Sequence, residues 1–125
     1  MIDHVSVSVS DLGASTAFYE KLLGAIGMTK LHTSEETSGF GKKYPEFWLN
    51  PRPGFKPGDG HTGMHICFRA PSVDMVKAFH EAALEAGGRD DGAPGPRPEY
   101  HETYYAAFVV DPDGNRIEVV TYLRD

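Results

Sequence analysis

The chain has 125 residues, 40% hydrophobic and 24% charged, which is the size and composition of one globular domain. Its formal net charge of −6 argues against nucleic acid or an anionic membrane surface as a partner. No apolar run reaches the length of a membrane span, and the single Cys67 cannot form an internal disulfide. The sequence shows no signal-peptide pattern at Met1, so we expect a cytoplasmic protein with no membrane partner.

The first half of the chain predicts one strand, one helix and three further short strands. Apolar and polar residues alternate from 2 to 9, which is typical of a half-buried strand and places His4 on its polar face. Asp11 is the predicted N-cap of a helix that ends at Gly24 and whose apolar face is Ala14, Ala17, Phe18, Leu22 and Leu23. The three further strands are predicted at 28–32, 38–42 and 46–50.

The second half begins with the same order of elements after a linker rich in Pro and Gly at about 51–62. Residues 63–70 predict a strand that carries His65 between apolar neighbours. Ser72 is the predicted N-cap of a helix that continues to Ala86, where two glycines follow. The two halves share no obvious sequence identity, so the repeat is one of element order.

The C-terminal part predicts a β-hairpin. A short strand near Arg89 and a Pro- and Gly-rich loop at 92–99 precede it. The hairpin turn is the Asp-Pro-Asp-Gly sequence at 111–114, where Pro fixes φ and Gly accepts a positive φ. On the outgoing strand Glu118 has apolar neighbours, so this carboxylate must either reach solvent or have a partner.

Three residues in comparable positions are candidate metal ligands. His4 lies in the first strand of the first half, His65 in the first strand of the second half, and Glu118 in the last strand. Two imidazoles and one carboxylate are a common ligand set for Zn, Ni, Mn, Co or Fe(II) with open coordination positions. The three are far apart in sequence, so only the fold can bring them together. The alternatives are a surface histidine, a hydrogen-bonded core histidine and a carboxylate at the rim.

The chain resembles the vicinal oxygen chelate superfamily, which contains glyoxalase I, bleomycin-resistance proteins and extradiol dioxygenases. The resemblance is carried, nearly from end to end, by the motifs DHVSVSVSDL, STAFYEKLLG, GMHICF and DPDGNRIEVV, the last being the most specific. Within the superfamily the chain is most similar to a large group of uncharacterised glyoxalase-like bacterial proteins.

This resemblance implies an α+β fold in which two βαβββ modules form a curled mixed sheet around a cleft. The single domain at 1–125 would contain one module at about 1–52 and a second at about 63–125. The resemblance also implies a divalent metal bound by the three candidate ligands, and a homodimer.

The sequence departs from glyoxalase I at one ligand position. Glyoxalase I enzymes carry a further carboxylate in the last strand of the first module, where this chain has Trp48 or, in an alternative alignment, Leu49. Glu46 has the same side-chain parity as Trp48 and is an alternative ligand nearer the strand start. Ser8 stands where glutathione-handling glyoxalases tend to have Arg. Both differences argue against lactoylglutathione chemistry.

Two further histidines are candidates for the site. His101 lies on a loop beside tyrosines and is a candidate acid, base or extra ligand, with a solvated loop histidine as the alternative. His61, in the linker, is a weaker candidate ligand.

The remaining candidates concern substrate binding. The predicted substrate pocket contains Trp48, Cys67, Tyr100 and Tyr105. The alternative for Cys67 is a small buried apolar residue. Possible anchors for an anionic substrate are Arg52, Arg69 and Arg97, which the sequence does not rank.

The favoured function is a metal-dependent enzyme. The metal would act as a Lewis acid on a small substrate with vicinal oxygens, in a lyase or isomerase reaction, while Glu118 or His101 moves a proton. One alternative is a ring-cleaving dioxygenase with Fe(II). The other is a non-catalytic protein that binds a drug or another small molecule in the same cleft, as bleomycin-resistance proteins do.

Overall fold

The computed structural model describes residues 1–58 and 62–124. The first half contains β1 (Val5–Val9), α1 (Leu12–Gly24), β2 (Thr29–Thr33), β3 (Ser38–Gly41) and β4 (Phe47–Pro51). The second half contains β5 (His65–Arg69), α2 (Val73–Glu85), β6 (Arg89–Pro96), β7 (Tyr104–Val110) and β8 (Arg116–Tyr122). This order confirms the predicted pair of βαβββ modules. His61 of the predicted linker lies outside the described residues.

Each module forms its own four-stranded mixed sheet. The strand order is β1-β4-β3-β2 in the first sheet and β5-β8-β7-β6 in the second. In both sheets the first strand pairs in parallel with the last, and the other pairs are antiparallel. Within the described residues β1 and β5 are therefore edge strands of their sheets. Neither α1 nor α2 has the length and apolar character that a bilayer-spanning helix needs.

Both helices begin where the sequence predicts. The Asp11 side chain accepts a hydrogen bond from the backbone N–H of Ala14 at 3.0 Å, and the Ser72 hydroxyl accepts one from Met75 at 3.3 Å. These bonds satisfy N–H groups that have no acceptor inside the helix. Gly87 follows α2 with a φ of +104°, a conformation that glycine adopts without steric cost.

One hydrophobic core extends through both modules. Its largest fully buried side chains include Tyr19, Phe40, Phe47 and Phe79. The rings of Phe47 and Phe68, one from each module, meet edge to face with their centroids 5.1 Å apart. Removal of this shared apolar surface from water stabilises the two modules as one unit.

The buried face of α1 differs from the sequence prediction. Ala14 and Ala17 are exposed, and the small polar residues Ser15 and Thr16 are buried in their place. The Thr16 hydroxyl donates to the Leu12 carbonyl at 2.6 Å. Because their hydroxyls find partners inside the protein, these residues are buried without a large desolvation cost.

The prediction of a loop at 92–99 was wrong over much of its length, since β6 continues to Pro96. Within the described residues β6 pairs only with β7, so its two prolines, Pro94 and Pro96, do not interrupt a central ladder. The register shifts between Asp90 and Gly92 and again between Gly92 and Gly95. These irregularities accommodate a Pro- and Gly-rich sequence at the edge of the sheet.

The turn between β7 and β8 connects the second module to the first. We call residues 111–115 the junction turn. The Tyr19 hydroxyl of α1 donates to the buried Asp111 carboxylate at 2.6 Å. Asp113 accepts from the Ser10 hydroxyl at 2.6 Å and from the Ser10 backbone N–H at 3.1 Å. Burial raises the pKa of the Asp111 carboxyl, against hydrogen bonds that lower it.

Two contacts with backbone carbonyls of other segments fix the rest of the junction turn. The side-chain amide of Asn115 donates to the Ser8 carbonyl of β1 at 3.1 Å. Gly114 has a φ of +87°, and a Cβ there would lie 2.1 Å from the Gly58 carbonyl oxygen. The turn therefore requires glycine at this position for both conformation and space.

Candidate functional site

Strands β5 and β8 place the candidate site on one face of the second sheet. The parallel register pairs Cys67 with Glu118, and alternation puts His65 on the same face as Cys67. The opposite face of β8 carries Ile117 and Val119, which belong to the hydrophobic core. The apolar pattern of β8 thus turns Glu118 away from the core and toward His65.

The imidazole of His65 is the partner of Glu118. The distance from His65 Nε2 to Glu118 Oε1 is 3.0 Å. Glu118 is 3% exposed, whereas the His65 side chain is 42% exposed. The buried carboxylate therefore has the partner that its position requires, and the imidazole connects it to solvent.

Tyr104 is a third member of the site, and the sequence analysis missed it. Its hydroxyl donates a hydrogen bond to the second carboxylate oxygen of Glu118. Burial and this bond raise the pKa of Tyr104 well above its usual value. On β7, Tyr104 shares a face with Phe108, the register partner of Glu118, and the small Ala106 lies between them. Two signals in the sequence could have identified Tyr104: the alternation of side chains along β7, which puts it on the same face as Phe108, and the small size of Ala106.

Cys67 lies next to Glu118 but is poorly suited to ionise. The residue is exposed as a whole, yet partial burial of its thiol, and then the Glu118 carboxylate, raise its pKa to about 12. The thiolate is the nucleophilic and metal-binding form of cysteine. Cys67 therefore acts in this site as a neutral wall residue.

His4 lies at the rim of the cavity that contains His65. The cavity has a volume of about 550 Å³, and Glu46 also lines it. His4 is exposed, with its Nδ1 2.6 Å from the Asp3 carboxylate. Within residues 1–58 and 62–124, no three His, Cys, Asp or Glu side chains converge closely enough to hold a metal. The fold therefore unites His65 with Glu118 and leaves His4 apart from them.

The pair of His65 and Glu118 fits two positions in a metal coordination shell. Imidazole nitrogen and carboxylate oxygen both bind divalent ions at about 2.0 to 2.2 Å. Two such ligands on one ion lie roughly 3 Å apart when the angle at the metal is between 90° and 110°. The observed 3.0 Å separation agrees with this geometry.

His101 belongs to a group of rings beside the site, which we call the aromatic cluster. Its members are Tyr100, His101, Tyr104 and Tyr122. Ring centroids are 5.3 Å apart for Tyr100 and Tyr104, 5.4 Å for Tyr104 and Tyr122, and 6.0 Å for His101 and Tyr122. His101 Nδ1 lies 3.0 Å from the Thr103 hydroxyl. The cluster connects Tyr100 and His101 to Glu118 through Tyr104.

The other two residues of the predicted pocket lie elsewhere. Trp48 is half-buried in the first sheet, where its ring centroid is 5.6 Å from that of His32. Tyr105 pairs with Thr121 on the face opposite Glu118 and packs against the core. The structure does not bring either residue to His65.

The three arginines considered as anchors for an anion are now distinguishable. Arg97 donates to three backbone carbonyls of β6, and its guanidinium carbon lies 5.6 Å from the Phe108 ring centroid. Arg52 is exposed after β4. Arg69 lines the cavity of about 550 Å³ that contains His65, and its guanidinium lies 5.3 Å from the Tyr122 ring centroid.

Comparison with known proteins identifies relatives along nearly the whole chain. A glyoxalase/bleomycin resistance protein from Albidiferax ferrireducens is 30% identical, with a TM-score of 0.85 over 96% of this chain and 98% of that one. A virulence protein of Salmonella typhimurium is 27% identical over 98% of this chain and 84% of its own length.

A more distant structure shows the same fold. The fosfomycin resistance protein FosX of Listeria monocytogenes, solved with Mn(II) and 1S,2S-dihydroxypropylphosphonic acid, is 18% identical. Its TM-score is 0.71 over 95% of this chain and 87% of that chain. Residues 1–119 match the family model of the Glyoxalase/Bleomycin resistance protein/Dioxygenase superfamily. The chain therefore belongs to this superfamily.

Proposed function

We propose that this protein is a glyoxalase-like, metal-dependent enzyme that acts on a small substrate with vicinal oxygens, in a lyase or isomerase reaction. The observation that supports this most directly is the 3.0 Å separation between His65 Nε2 and Glu118 Oε1. His65 and Glu118 would hold a divalent ion together with His4. When bound, that ion would supply Lewis-acid polarisation of the substrate oxygens.

The side chains around the ion have distinct proposed tasks. Tyr104 holds one oxygen of Glu118 and thereby directs the other toward His65. Glu118, buried and hydrogen-bonded, is the proposed group that accepts or returns a proton at the substrate carbon. His101, an exposed imidazole of the aromatic cluster, is the alternative proposed group that moves the proton.

Metal analysis tests the proposal. The purified protein, loaded in turn with Zn, Ni, Mn, Co and Fe(II), should bind about one ion per chain, and His65→Ala should lose most of it. His32→Ala is a matched control, because His32 is an exposed histidine that does not line the cavity. Full metal content in His65→Ala would contradict the proposal. A marked preference for Fe(II) would favour the ring-cleaving reaction instead.

We further propose that the protein is a homodimer in which each copy supplies its His4 to the His65 and Glu118 pair of the other copy. The exposure of His4 and its separation from His65 and Glu118 within one chain support this arrangement. Mixing His4→Ala chains with His65→Ala chains tests it. A shared site predicts recovery of about a quarter of the wild-type metal, because half of the dimers are mixed and each contains one intact site. A site built from one chain predicts no recovery.

A second candidate function is binding without catalysis. The lack of a three-ligand group within the described part of one chain favours it. In that case the mixed chains and the loaded wild type would both contain no stoichiometric metal, and small molecules would raise the Tm without it. As part of the same proposal we place the protein in the cytoplasm, where the thiol of Cys67 stays reduced.

A further inference from the structure

A second cavity, of about 620 Å³, lies at the C-terminal ends of β5 and β8 and is lined by positive charge. Lys42 reaches it from the segment after β3, Arg69 from the end of β5, and Arg124 from the segment after β8. None of the described residues that line this cavity is acidic. In a chain with a net charge of −6, three cations in one cavity are a local reversal of charge.

Among the described residues, none of the three cations has a carboxylate partner. Elsewhere Lys30 pairs with Glu20 at 2.7 Å, and Arg116 pairs with Asp91 at 2.8 Å. Within residues 1–58 and 62–124, by contrast, no ion pair involves the three cations of this cavity. A cavity lined by charges of one sign attracts ions of the opposite charge and raises their local concentration.

A cation–π contact restrains Arg69. Its guanidinium carbon lies over the ring of Tyr122, 5.3 Å from the centroid. A guanidinium presents its N–H donors in a planar fork that matches the two oxygens of a carboxylate or a phosphate. Arg69 is therefore preorganised as the anchor of the cavity.

The cationic cavity adjoins the cavity that His4 and His65 line. Lys42 and Arg69 line both. Arg69 is two residues beyond Cys67, the register partner of Glu118, and on the same face of β5. At about 3.3 Å per residue, this places Arg69 roughly 7 Å along the strand from the level of Glu118. A ligand of a few bonds can reach from one to the other.

We propose that Lys42, Arg69 and Arg124 bind the oxyanion of a small anionic substrate, a carboxylate, phosphate or phosphonate, whose reacting oxygens lie at His65 and Glu118. The placement of the reacting oxygens rests on the proposed function, whereas the anion site is inferred from the cavity alone. Charge-assisted hydrogen bonds from arginine are strong with all three anions. Among the three arginines that the sequence offered as anchors, we therefore choose Arg69.

The test is a titration of the metal-free protein with inorganic phosphate and, separately, with acetate. Backbone amide NMR shifts monitor both titrations. We expect saturable shifts in residues 69, 70, 72, 73 and 121–124, and the anion with the higher affinity identifies the substrate group. Arg69→Gln should weaken binding by about tenfold or more, and Arg69→Lys by less. Arg52→Gln, a matched substitution at an exposed arginine outside the cavity, should leave the affinity unchanged.

Two variants separate this proposal from the metal proposal. His65→Ala should lose metal and retain phosphate affinity, while Arg69→Gln should retain metal and lose phosphate affinity. Shifts that do not saturate with either anion, or equal affinities in Arg69→Gln and Arg52→Gln, would overturn the anion site. A wild type that binds phosphate through Arg69 but no metal would support the anion site and reject only the metal function.

Discussion

His65 and Glu118 lie 3.0 Å apart at Nε2 and Oε1, although 53 positions separate them in the chain. Parallel pairing of β5 with β8 produces this contact, because it places Cys67 opposite Glu118 and His65 one step along the same face. The contact is a product of sheet register, so a shift of one residue would move Glu118 into the core face.

Tyr104→Phe should weaken metal binding without unfolding the protein. The substitution removes the donor to one oxygen of Glu118 and leaves the ring in the aromatic cluster. Loss of a hydrogen bond that orients a metal ligand typically costs about 10- to 100-fold in metal affinity. Competition with a chromophoric chelator measures the Kd. Tyr100→Phe is the control, and equal Kd values in the two variants would contradict the assigned role of Tyr104.

Tyr19→Phe should change how stability depends on alkaline pH. Burial, with the nearby Asp111 carboxylate, raises the pKa of Tyr19 well above 10.0. Above pH 10 the phenol ionises in the unfolded chain while the folded protein keeps the proton, so this stabilisation is present below pH 10 and declines as pH rises. Each such group lowers the free energy of unfolding by about 1.4 kcal/mol per pH unit.

Urea unfolding between pH 9 and 11.5 measures this slope. The slope of Tyr19→Phe should be shallower than that of the wild type by about 1.4 kcal/mol per pH unit. At pH 7 the variant should be less stable by about 1 to 3 kcal/mol, because the buried Asp111 loses a donor. Tyr44→Phe, at an exposed position, is the control and should keep the wild-type slope. Identical slopes in all three proteins would refute the role of Tyr19.

Asp113→Ala should destabilise the whole protein rather than one module. Asp113 accepts hydrogen bonds from Ser10 and from the buried Ser15 hydroxyl, so its loss leaves donors of the first module without partners. We expect a loss of about 2 to 3 kcal/mol in the free energy of unfolding, in a single transition. Asp91→Ala, which removes a carboxylate paired with Arg116 on the second sheet, should cost about 1 kcal/mol or less. Two separate transitions in Asp113→Ala would show that the modules are not coupled there.

Alanine at two glycines should have opposite effects. A Cβ at Gly41 would lie 1.9 Å from the Tyr44 carbonyl oxygen, so Gly41→Ala must displace the backbone after β3 and should cost about 3 kcal/mol or more. A Cβ at Gly24, the last residue of α1, meets nothing within 4 Å. Gly24→Ala should therefore stabilise the protein by about 0.4 to 1 kcal/mol. Chemical denaturation of both variants checks the sign, and equal effects would contradict the steric account.

The parts of the fold that follow local rules were predictable. The caps at Asp11 and Ser72 and the turn at 111–114 depend on residue types within a few positions. The extension of β6 to Pro96 was not predictable in this way, because it depends on pairing with β7 at one edge of the sheet. The buried Ser15 was missed for the same reason, since its partner Asp113 is 98 positions away.

The candidate site was predictable only in part. Residue chemistry and strand alternation single out His65 and Glu118, and the fold brings them together. Tyr104 required knowledge of its face on β7 and of the space beside Ala106. The grouping of Lys42, Arg69 and Arg124 required the meeting of three chain segments, which no local pattern encodes.

The junction turn has a consequence for how this protein is recognised and how it can diverge. The motif DPDGN, the most distinctive stretch of the sequence, holds the two modules together through Asp111 and Asp113 and takes no part in the contact between His65 and Glu118. The motif that identifies the superfamily therefore has a structural role, while the candidate site lies on a different face of the same hairpin. Substitutions on that face leave the junction turn intact. New activities can therefore arise on this fold without loss of the contacts that hold the two modules together.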